Sequence, residues 1–261
     1  MTIDSHCHLS QEDYEISVHQ VIETAQNSGV NCVMGVACEA KDWNELIELL
    51  KKEKNVYGAI GLHPEYANYS YDEDLKKLVG LFKKNPKLLA VGEMGLDYHE
   101  APNTVEAQKD LFVKQVKIAH NLNKPIMVHT RDAEDDTIRI LKHAYDKNLL
   151  FHQGVIHCFT GTERLAKEIL AMGFYISASG VITFKSAQAL RDVFKNIPLN
   201  RLLVETDAPW LAPTPFRGKK NQPAYVQKTL EKLAEIKGMS IQEMEKITDN
   251  NFKRLYLGSE K

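Results

Sequence analysis

The chain has 261 residues, of which 43% are hydrophobic and 26% are charged, and its formal net charge at pH 7 is −2. This composition excludes a disordered protein, and the near-neutral charge disfavours extended wrapping of nucleic acid while leaving room for a local basic mouth. No apolar run approaches the ~20 residues needed to cross a bilayer, and the sequence opens on MTIDSHCHL without a leader pattern, so we expect a cytoplasmic protein that does not bind membranes.

The cysteines indicate a reducing environment. They form neither a CxxC pair nor a dense disulfide framework, and three lie in apolar, strand-like runs. We therefore predict free thiols that serve in packing at Cys7, Cys32, Cys38 and Cys158.

Short apolar runs alternate with longer helix-like segments along the whole chain, which is typical of repeated βα units. Helix candidates with apolar residues at three- and four-residue spacing include 15–28, 41–52, 105–121 and 135–147. We predict a (β/α)8 TIM barrel of the α/β class, with residues 1–261 as a single domain, because such barrels have ~250 residues. An open, doubly wound sheet is the alternative. The predicted strands are 2–6, 31–37, 56–62, 88–93, 125–129, 155–158, 174–179 and 202–206.

Polar side chains recur at the ends of the predicted strands, where the catalytic groups of a barrel enzyme converge on one mouth. Residues two apart on a strand share a face, so His6 and His8 point the same way while Cys7 points the opposite way. The same alternation pairs Glu205 with Asp207. The strand-end candidates are His6, His8, His63, Glu93, His129, His157 and Asp207.

Histidine and carboxylate side chains in this arrangement indicate a divalent metal centre. The two imidazoles of a His-x-His strand can bind one ion, and carboxylates add oxygen ligands and negative charge. A lone strand histidine is more often a hydrogen-bonded core residue, and a lone buried carboxylate needs a partner. Convergence of several candidates on one mouth favours the metal. The predicted ligands are His6, His8, Glu93, His129, His157 and Asp207.

Two residues near the mouth are candidate substrate contacts. Arg131 lies two residues after His129 on the same predicted face, and the fixed fork of its guanidinium suits a phosphate. A structural salt bridge is the alternative for Arg131. His63 either contacts substrate or packs under the loop that follows it.

A Pro-rich, basic loop at 212–223 follows the eighth predicted strand. Long irregular loops of this kind are often functional. Arg217 is a third candidate phosphate contact, and Lys219 and Lys220 could extend a basic track over the mouth, although charged loop residues are most often simply solvated.

The chain resembles the TatD family of metal-dependent deoxyribonucleases, which are barrel enzymes related to the amidohydrolases. The resemblance covers nearly the whole chain and rests on IDSHCHL, GLHP, GEMGLDY, PIMVHTRDA, IHCFTG and VETDAPWLAP followed by FRGKKNQP. Ser10 stands where the family usually has Asp or Asn, and Gln222 where an acidic residue is common. Neither change removes a metal ligand.

This resemblance implies an exonuclease that acts on DNA and prefers single-stranded ends. It also implies two divalent ions as cofactors, with zinc, magnesium, manganese and iron all compatible with the ligands. Two ions ~3.5–4 Å apart can share a water, lower its pKa so that a metal-bound hydroxide attacks the phosphodiester, and stabilise the leaving oxygen. The implied assignment is His6, His8 and Asp207 on one ion, His129 and His157 on the other, and Glu93 bridging both.

Asp207 and Glu205 are the catalytic candidates. A metal-bound carboxylate at Asp207 lies within reach of the attacking water and can accept its proton. Glu205, one layer deeper on the same face, either orients a ligand or the water or is a buried carboxylate satisfied by its neighbours. The same two interpretations apply to Asp4.

Two other functions stay open. The first is an amide, lactone or acyl-ester hydrolase, including removal of an aminoacyl group from tRNA. Many related amidohydrolases bridge their metals with a modified lysine, and no predicted strand ends in lysine, which favours the nuclease. The second is a non-catalytic metal-binding scaffold. Loss of several metal ligands would have indicated a scaffold, and none of them is lost. We predict nucleic acid with a short footprint as the substrate and no obligate protein partner.

Overall fold

The computed structural model describes residues 2–258, in which eight strands alternate with helices along the chain. Each strand pairs in parallel with the next in chain order. The strands are β1 (Thr2–His8), β2 (Val30–Ala37), β3 (Val56–Ile60), β4 (Leu88–Asp97), β5 (Ile126–Arg131), β6 (Gly154–Ile156), β7 (Tyr175–Ala178) and β8 (Leu202–Val204). The helices are α1 (Val18–Asn27), α2 (Trp43–Lys52), α3 (Asp72–Lys84), α4 (Val105–Leu122), α5 (Glu134–Asp146), α6 (Glu163–Ala171), α7 (Gln188–Asn196), α8 (Val226–Lys237) and α9 (Ile241–Phe252).

The first and last strands meet along a seam that closes the sheet. The backbone N–H of His8 donates to the carbonyl of Ala208 at 2.7 Å, and that of Asp207 donates to the carbonyl of His6 at 3.0 Å. The Asp4 carboxylate, fully buried, accepts hydrogen bonds from the N–H and the hydroxyl of Thr206 at 2.9 and 2.6 Å. These contacts exclude the open sheet and confirm the (β/α)8 barrel. The predicted single domain of residues 1–261 extends beyond the described residues at both ends and stays a prediction.

Alternation along the strands sorts the apolar residues into two layers. Residues such as Met34, Val36 and Met127 point inward, where Phe252 and Tyr256 also pack, and a larger set fills the space between strands and helices. The helix α9 contacts both β1 and β8. Phe252 and Tyr256 pack against the inner layer at one end of the barrel. The opposite end is therefore the one at which a functional site can form.

Three strands continue past their predicted ends. The strand β1 runs to His8 instead of residue 6, β4 runs to Asp97 instead of residue 93, and β5 runs to Arg131 instead of residue 129. Gly95 makes the longer β4 feasible: at φ 144°, a Cβ there would lie 2.0 Å from the carbonyl oxygen of His129, so only glycine lets β4 approach β5 this closely. Pairing then continues to Asp97 opposite Arg131. The remaining predicted strands are placed correctly to within a few residues.

The predicted helices are also confirmed, and two of them start later than predicted. The helix predicted at 41–52 begins at Trp43. The helix predicted at 15–28 begins at Val18, because the Ser17 side chain caps the N–H of Gln20 and the Gln20 side chain caps Ser17 in return. All four cysteines are free. Within the described part of the chain, no helix has the length and apolar character needed to span a membrane.

Candidate metal centre

The C-terminal ends of the strands open onto a cavity of about 800 Å³. His6 is fully buried beside it. Trp210, 52% exposed, forms part of the wall and packs edge-on against His8, with 4.7 Å between ring centroids. The predicted site residues that line the cavity are His8, His63, Glu93, His129, Arg131, His157 and Asp207.

Glu93 lies at the centre of the cluster, and its two carboxylate oxygens face different histidines. Oε1 is 2.7 Å from Nε2 of His157 and 2.9 Å from Nδ1 of His129. Nε2 of His63 is more distant, at 3.6 Å. Because Nε2 of His157 and Nδ1 of His129 are themselves 3.4 Å apart, both nitrogens can reach one ion on this side of Glu93.

The other oxygen of Glu93 faces the His-x-His pair. Oε2 is 3.5 Å from Nε2 of His6 and 3.8 Å from Nε2 of His8, and these two nitrogens are 3.2 Å apart. Oδ1 of Asp207 lies 3.5 and 3.8 Å from the same two nitrogens. Two atoms bound to one ion can be at most ~4.2 Å apart, which is twice a metal–nitrogen bond, and each of these distances is within that limit.

The two sides of Glu93 differ in proton affinity. Burial lowers the pKa of His6 well below its ordinary value and lowers the pKa of His8 to about 4. Burial acts in the same direction on His157, but Glu93 and Glu205 outweigh it and raise the pKa of His157. Burial raises the pKa of Glu93, but the combined charges and hydrogen bonds of His157, His129 and His63 outweigh it, so this pKa is well below its usual range. His6 and His8 are therefore neutral at pH 7, which is the form that binds metal.

Asp97 holds His129 in place, and the sequence analysis did not single it out. Its Oδ2 is 2.8 Å from Nε2 of His129, and its Oδ1 accepts the backbone N–H groups of His99 and Glu100 at 2.9 and 2.8 Å. Burial opposes ionisation of Asp97, but these hydrogen bonds outweigh it and lower its pKa to about 2. A proton on Nε2 of His129 leaves Nδ1 as the nitrogen available to a metal.

Replacing Asp97 by Asn is expected to weaken metal binding at His129 by ~10–100-fold, the usual effect of losing the outer partner of a metal-binding histidine. The amide keeps the shape of the side chain but removes the charge that fixes the proton on Nε2. Metal titration of chelator-stripped protein measures the change. Asp136→Asn is the matched control, because Asp136 pairs with Lys109 at 2.8 Å outside the cavity wall. Equal affinities for Asp97→Asn and the parent would mean that Asp97 has a purely structural role at the end of β4.

Glu205 lies behind the cluster. It is 1% exposed, its Oε1 accepts the N–H of Cys158 at 2.6 Å, and the same oxygen is 3.4 Å from Nδ1 of His157. Glu205 therefore backs the ring of His157 while Nε2 of that ring faces Glu93. The Asp4 carboxylate is satisfied within the β1–β8 seam, which favours the structural interpretation of that residue.

Cys38 departs from the packing role predicted for the cysteines. It directly follows β2, two residues after Val36 of the inner layer, and lines the cavity. Its thiol donates to Oε2 of Glu93, with 3.3 Å between sulfur and oxygen. Burial and the neighbouring Glu93 raise the pKa of this thiol. Cys38 thus adds a sulfur donor on the side of Glu93 that faces His6 and His8.

The loop after β8 holds Asp207 against β1. Asp207 has a left-handed φ of 57°, a conformation that Asp tolerates better than most residues. Asn221, fully buried, donates to the backbone carbonyls of Thr206 and Trp210 at 2.8 and 2.7 Å. Asn221 thereby fixes the turn that carries Asp207, a structural role for the KKNQP segment that the sequence analysis missed.

The two arginines predicted to contact phosphate lie in different places. Arg131 lines the cavity, and its Nη1 is 2.8 Å from Oε1 of Glu100. Arg131 therefore lies at the mouth and also forms a salt bridge. Arg217 stacks on Phe184, with 3.7 Å between the guanidinium carbon and the ring centroid, and it lies outside the cavity wall. Of the two, Arg131 is the one positioned to meet a ligand.

The cavity wall is acidic. Among the described residues that line it, the Lys and Arg side chains are those of Lys41 and Arg131, and Lys41 is paired with Glu39 at 2.7 Å. Lys220 of the basic loop instead donates to the backbone carbonyl of Asp13. The basic mouth that the sequence left open is therefore not formed. The acidic wall residues outside the histidine cluster and Asp97 are Glu12, Asp13, Glu39, Asp42, Glu45, Glu65 and Glu100.

The donor set fits divalent metal ions. The ligand atoms of His6, His8 and Asp207 lie within 4.8 Å of one another, as do those of His6, Glu93 and His157. Imidazole and carboxylate together suit zinc, iron and manganese, and buried carboxylates require positive charge nearby. A parallel barrel with such a cluster at the C-terminal ends of its strands is typical of metal-dependent hydrolases.

Comparison with known proteins gives the family. Residues 3–257 match the family model described as TatD related DNase. The chain is 42% identical over 259 residues to the uncharacterized metal-dependent hydrolase YcfH of Escherichia coli (strain K12), covering 97% of this chain and 95% of the relative. It is 40% identical over 256 residues to YabD of Bacillus subtilis (strain 168), covering 98% and 99%. The structure of YJJV, a TatD homolog from Escherichia coli K12, aligns with a TM-score of 0.90 at 30% identity over 98% of each chain. The chain belongs to the TatD family of metal-dependent hydrolases, as its motifs predicted.

Proposed function

We propose that this chain is a two-metal phosphodiesterase that removes nucleotides from the ends of DNA, with single strands preferred. The observation that carries the proposal is the position of Glu93 between two pairs of histidines, each of which faces one of its carboxylate oxygens. In this proposal His6, His8 and Asp207 hold one ion, His129 and His157 hold the second, and Glu93 bridges them. When bound, the pair would activate a water and stabilise the charge on the attacking and leaving oxygens of a phosphodiester.

The chain's own residues have three further roles. Asp207 accepts the proton of the attacking water, because its carboxylate lies at the cavity wall beside His6 and His8. Asp97 and Glu205 act as positioning residues, one for His129 and the other for His157. His63 would contact the substrate from the Oε1 side of Glu93.

The substrate side of the cavity offers one cation and one aromatic face. Arg131 would bind the phosphate that is cut, exchanging Glu100 for the substrate. Trp210, half-exposed beside His8, would stack a base of the terminal nucleotide, a contact worth ~1–3 kcal/mol. The acidic wall repels further phosphates and therefore supports a short footprint confined to a strand end.

A second candidate is favoured by the same acidic wall. An ester or amide whose acyl group carries an ammonium, such as an aminoacyl ester, would be attracted by Glu12, Glu39 and Glu45. The metal centre would serve this carbonyl chemistry equally well. Convergence of all six predicted ligands on one cavity weakens the scaffold alternative. A cytoplasmic location stays a prediction.

Cleavage of matched oligonucleotides tests the function. We expect the metal-loaded protein to shorten a linear 3′-labelled single strand one nucleotide at a time and to leave a closed circular strand of the same sequence intact, because the circle has no end to enter the cavity. Equal cleavage of both strands would show that no end is needed. Hydrolysis of aminoacyl esters without cleavage of any phosphodiester would replace the first candidate with the second.

Removing Arg131 is expected to make the salt dependence of binding shallower. Each phosphate neutralised on a single strand contributes about −0.7 to the slope of log affinity against log salt concentration, so Arg131→Ala should reduce the slope by roughly that amount. Binding to a catalytically inactive variant across a salt series measures it. Arg164→Ala is the matched control, since Arg164 is an ion-paired arginine outside the cavity wall. Identical slopes for all three proteins would remove Arg131 from substrate binding.

A further inference from the structure

We infer that Cys38 is a ligand of the ion held by His6 and His8, and that it makes this side of the centre selective for ions that bind sulfur. The inference rests on the metal centre of the proposed function and adds a residue outside the predicted ligand set. It follows from where β2 ends, from the distances around Glu93, and from the chemistry of a thiol among nitrogen and oxygen donors.

The position of Cys38 is set by strand alternation. Cys32, Met34 and Val36 of β2 all face the interior of the barrel, and Cys38 follows at the next two-residue step. Cys32 is therefore on the same face at the closed end, whereas Cys38 reaches the cavity at the open end. The backbone of Cys38 is held by the segment that follows β3, because the carbonyl of Cys38 accepts the N–H of His63 at 3.1 Å.

The distances around Cys38 suit ligation of a single ion. Its sulfur is 3.3 Å from Oε2 of Glu93, and the ligand atoms of His8, Cys38 and Glu93 all lie within 4.8 Å of one another. A sulfur and an oxygen on one zinc ion can be at most ~4.4 Å apart, given bonds of ~2.3 and ~2.1 Å. The same Oε2 faces His6 and His8, so Cys38 lies on the His6 and His8 side rather than the His129 and His157 side.

Sulfur at this position changes which metals bind. The ion replaces the proton of the Cys38 thiol, which passes to solvent as the sulfur–metal bond forms, with no change in oxidation state. Thiolate strengthens binding of zinc and cadmium and does little for magnesium, which prefers oxygen. The two sides of Glu93 therefore differ in selectivity, and the His6 and His8 side accepts the sulfur-binding ion.

Spectroscopy of the metal-loaded protein tests the inference without relying on activity. Cadmium added to chelator-stripped protein is expected to produce an ultraviolet thiolate-to-metal charge-transfer band that Cys38→Ser abolishes. Cys32→Ser, the matched control on the same strand face, should keep the band. We also expect Cys38→Ser to weaken the binding of zinc and cadmium by ~10–100-fold. The affinities for manganese and magnesium should stay within a few-fold of those of the parent.

Three outcomes separate the inference from the proposed function. A band of equal intensity in Cys38→Ser and the parent, or equal weakening of all four metals, overturns the inference. Unchanged metal stoichiometry in His6→Ala would instead overturn the proposed centre itself. Circular dichroism of each variant shows that it is folded, and Cys38→Ala provides a second variant in which no hydroxyl can substitute for the thiol.

Discussion

Glu93→Gln is expected to eliminate high-affinity binding of both metal ions and, with it, all hydrolysis. The carboxylate of Glu93 is the one group within reach of both histidine pairs among the described residues, at 2.7 Å from His157 and 3.5 Å from His6. An amide offers one weak oxygen ligand in place of two charged ones, so it cannot bridge. Metal analysis after dialysis should fall from about two ions per chain toward zero, as the two-ion mechanism requires.

Glu65→Gln is the control for this change. Glu65 also lines the cavity and is paired with His63, with 3.2 Å between Nδ1 and Oε2, but its side chain is 48% exposed and outside the ligand groups. It should keep full metal content. Retention of both ions by Glu93→Gln would mean that Glu93 does not bridge, whereas loss of one ion alone would assign Glu93 to a single side.

The convergence of the histidines and carboxylates could be predicted from the sequence because barrel geometry gathers strand ends. His6 and His8 are two residues apart and therefore share a face, and both are found beside Glu93. Predicting the positions of His6 and His8 requires no knowledge of loop conformation, since closure of the parallel sheet into a barrel gathers the ends of its strands at one mouth. The barrel itself was predictable for the same reason, from the alternation of strand and helix patterns.

Asp97 and Cys38 were missed because of where strands were judged to end. The prediction ended β4 at Glu93, but Gly95 allows the strand to continue to Asp97, which is four residues on and so on the same face. The alternation that selected His8 would have selected Asp97 had the strand been extended. Cys38 was assigned to packing by residue type, although its two-residue step from Val36 points it into the cavity.

The charge of the cavity wall was not predictable in this way. Its acidic residues come mainly from loops after the strands, and whether a loop side chain faces the cavity depends on backbone turns that have no periodic signal. Arg217 and Lys220 illustrate the difficulty, since both lie in the basic loop. Arg217 stacks on Phe184, and Lys220 donates to the carbonyl of Asp13. A basic loop in the sequence therefore gave no basic wall in the structure.

Asp207→Asn is expected to lower kcat by ~10³-fold or more while changing substrate affinity by less than about tenfold. General base catalysis alone contributes about 10²–10⁴-fold, and this substitution also weakens a metal ligand. Burial raises the pKa of Asp207 to about 7, and the positive charge of a bound ion would lower it. The substitution removes no proposed contact to substrate, because the proposed contacts are the side chains of Arg131, His63 and Trp210.

Three measurements on Asp207→Asn separate the loss of a base from the loss of a metal. Metal analysis at saturating ion concentration should still find the site filled, since His6, His8 and Glu93 remain on that side. Binding of an oligonucleotide should remain close to that of the parent. The residual rate should then lose the acidic limb of its pH profile, because the group whose protonation stops the reaction is gone. An unchanged kcat in folded, metal-filled Asp207→Asn would exclude Asp207 as the base, and the water's proton would then have to pass to another group at the cavity wall.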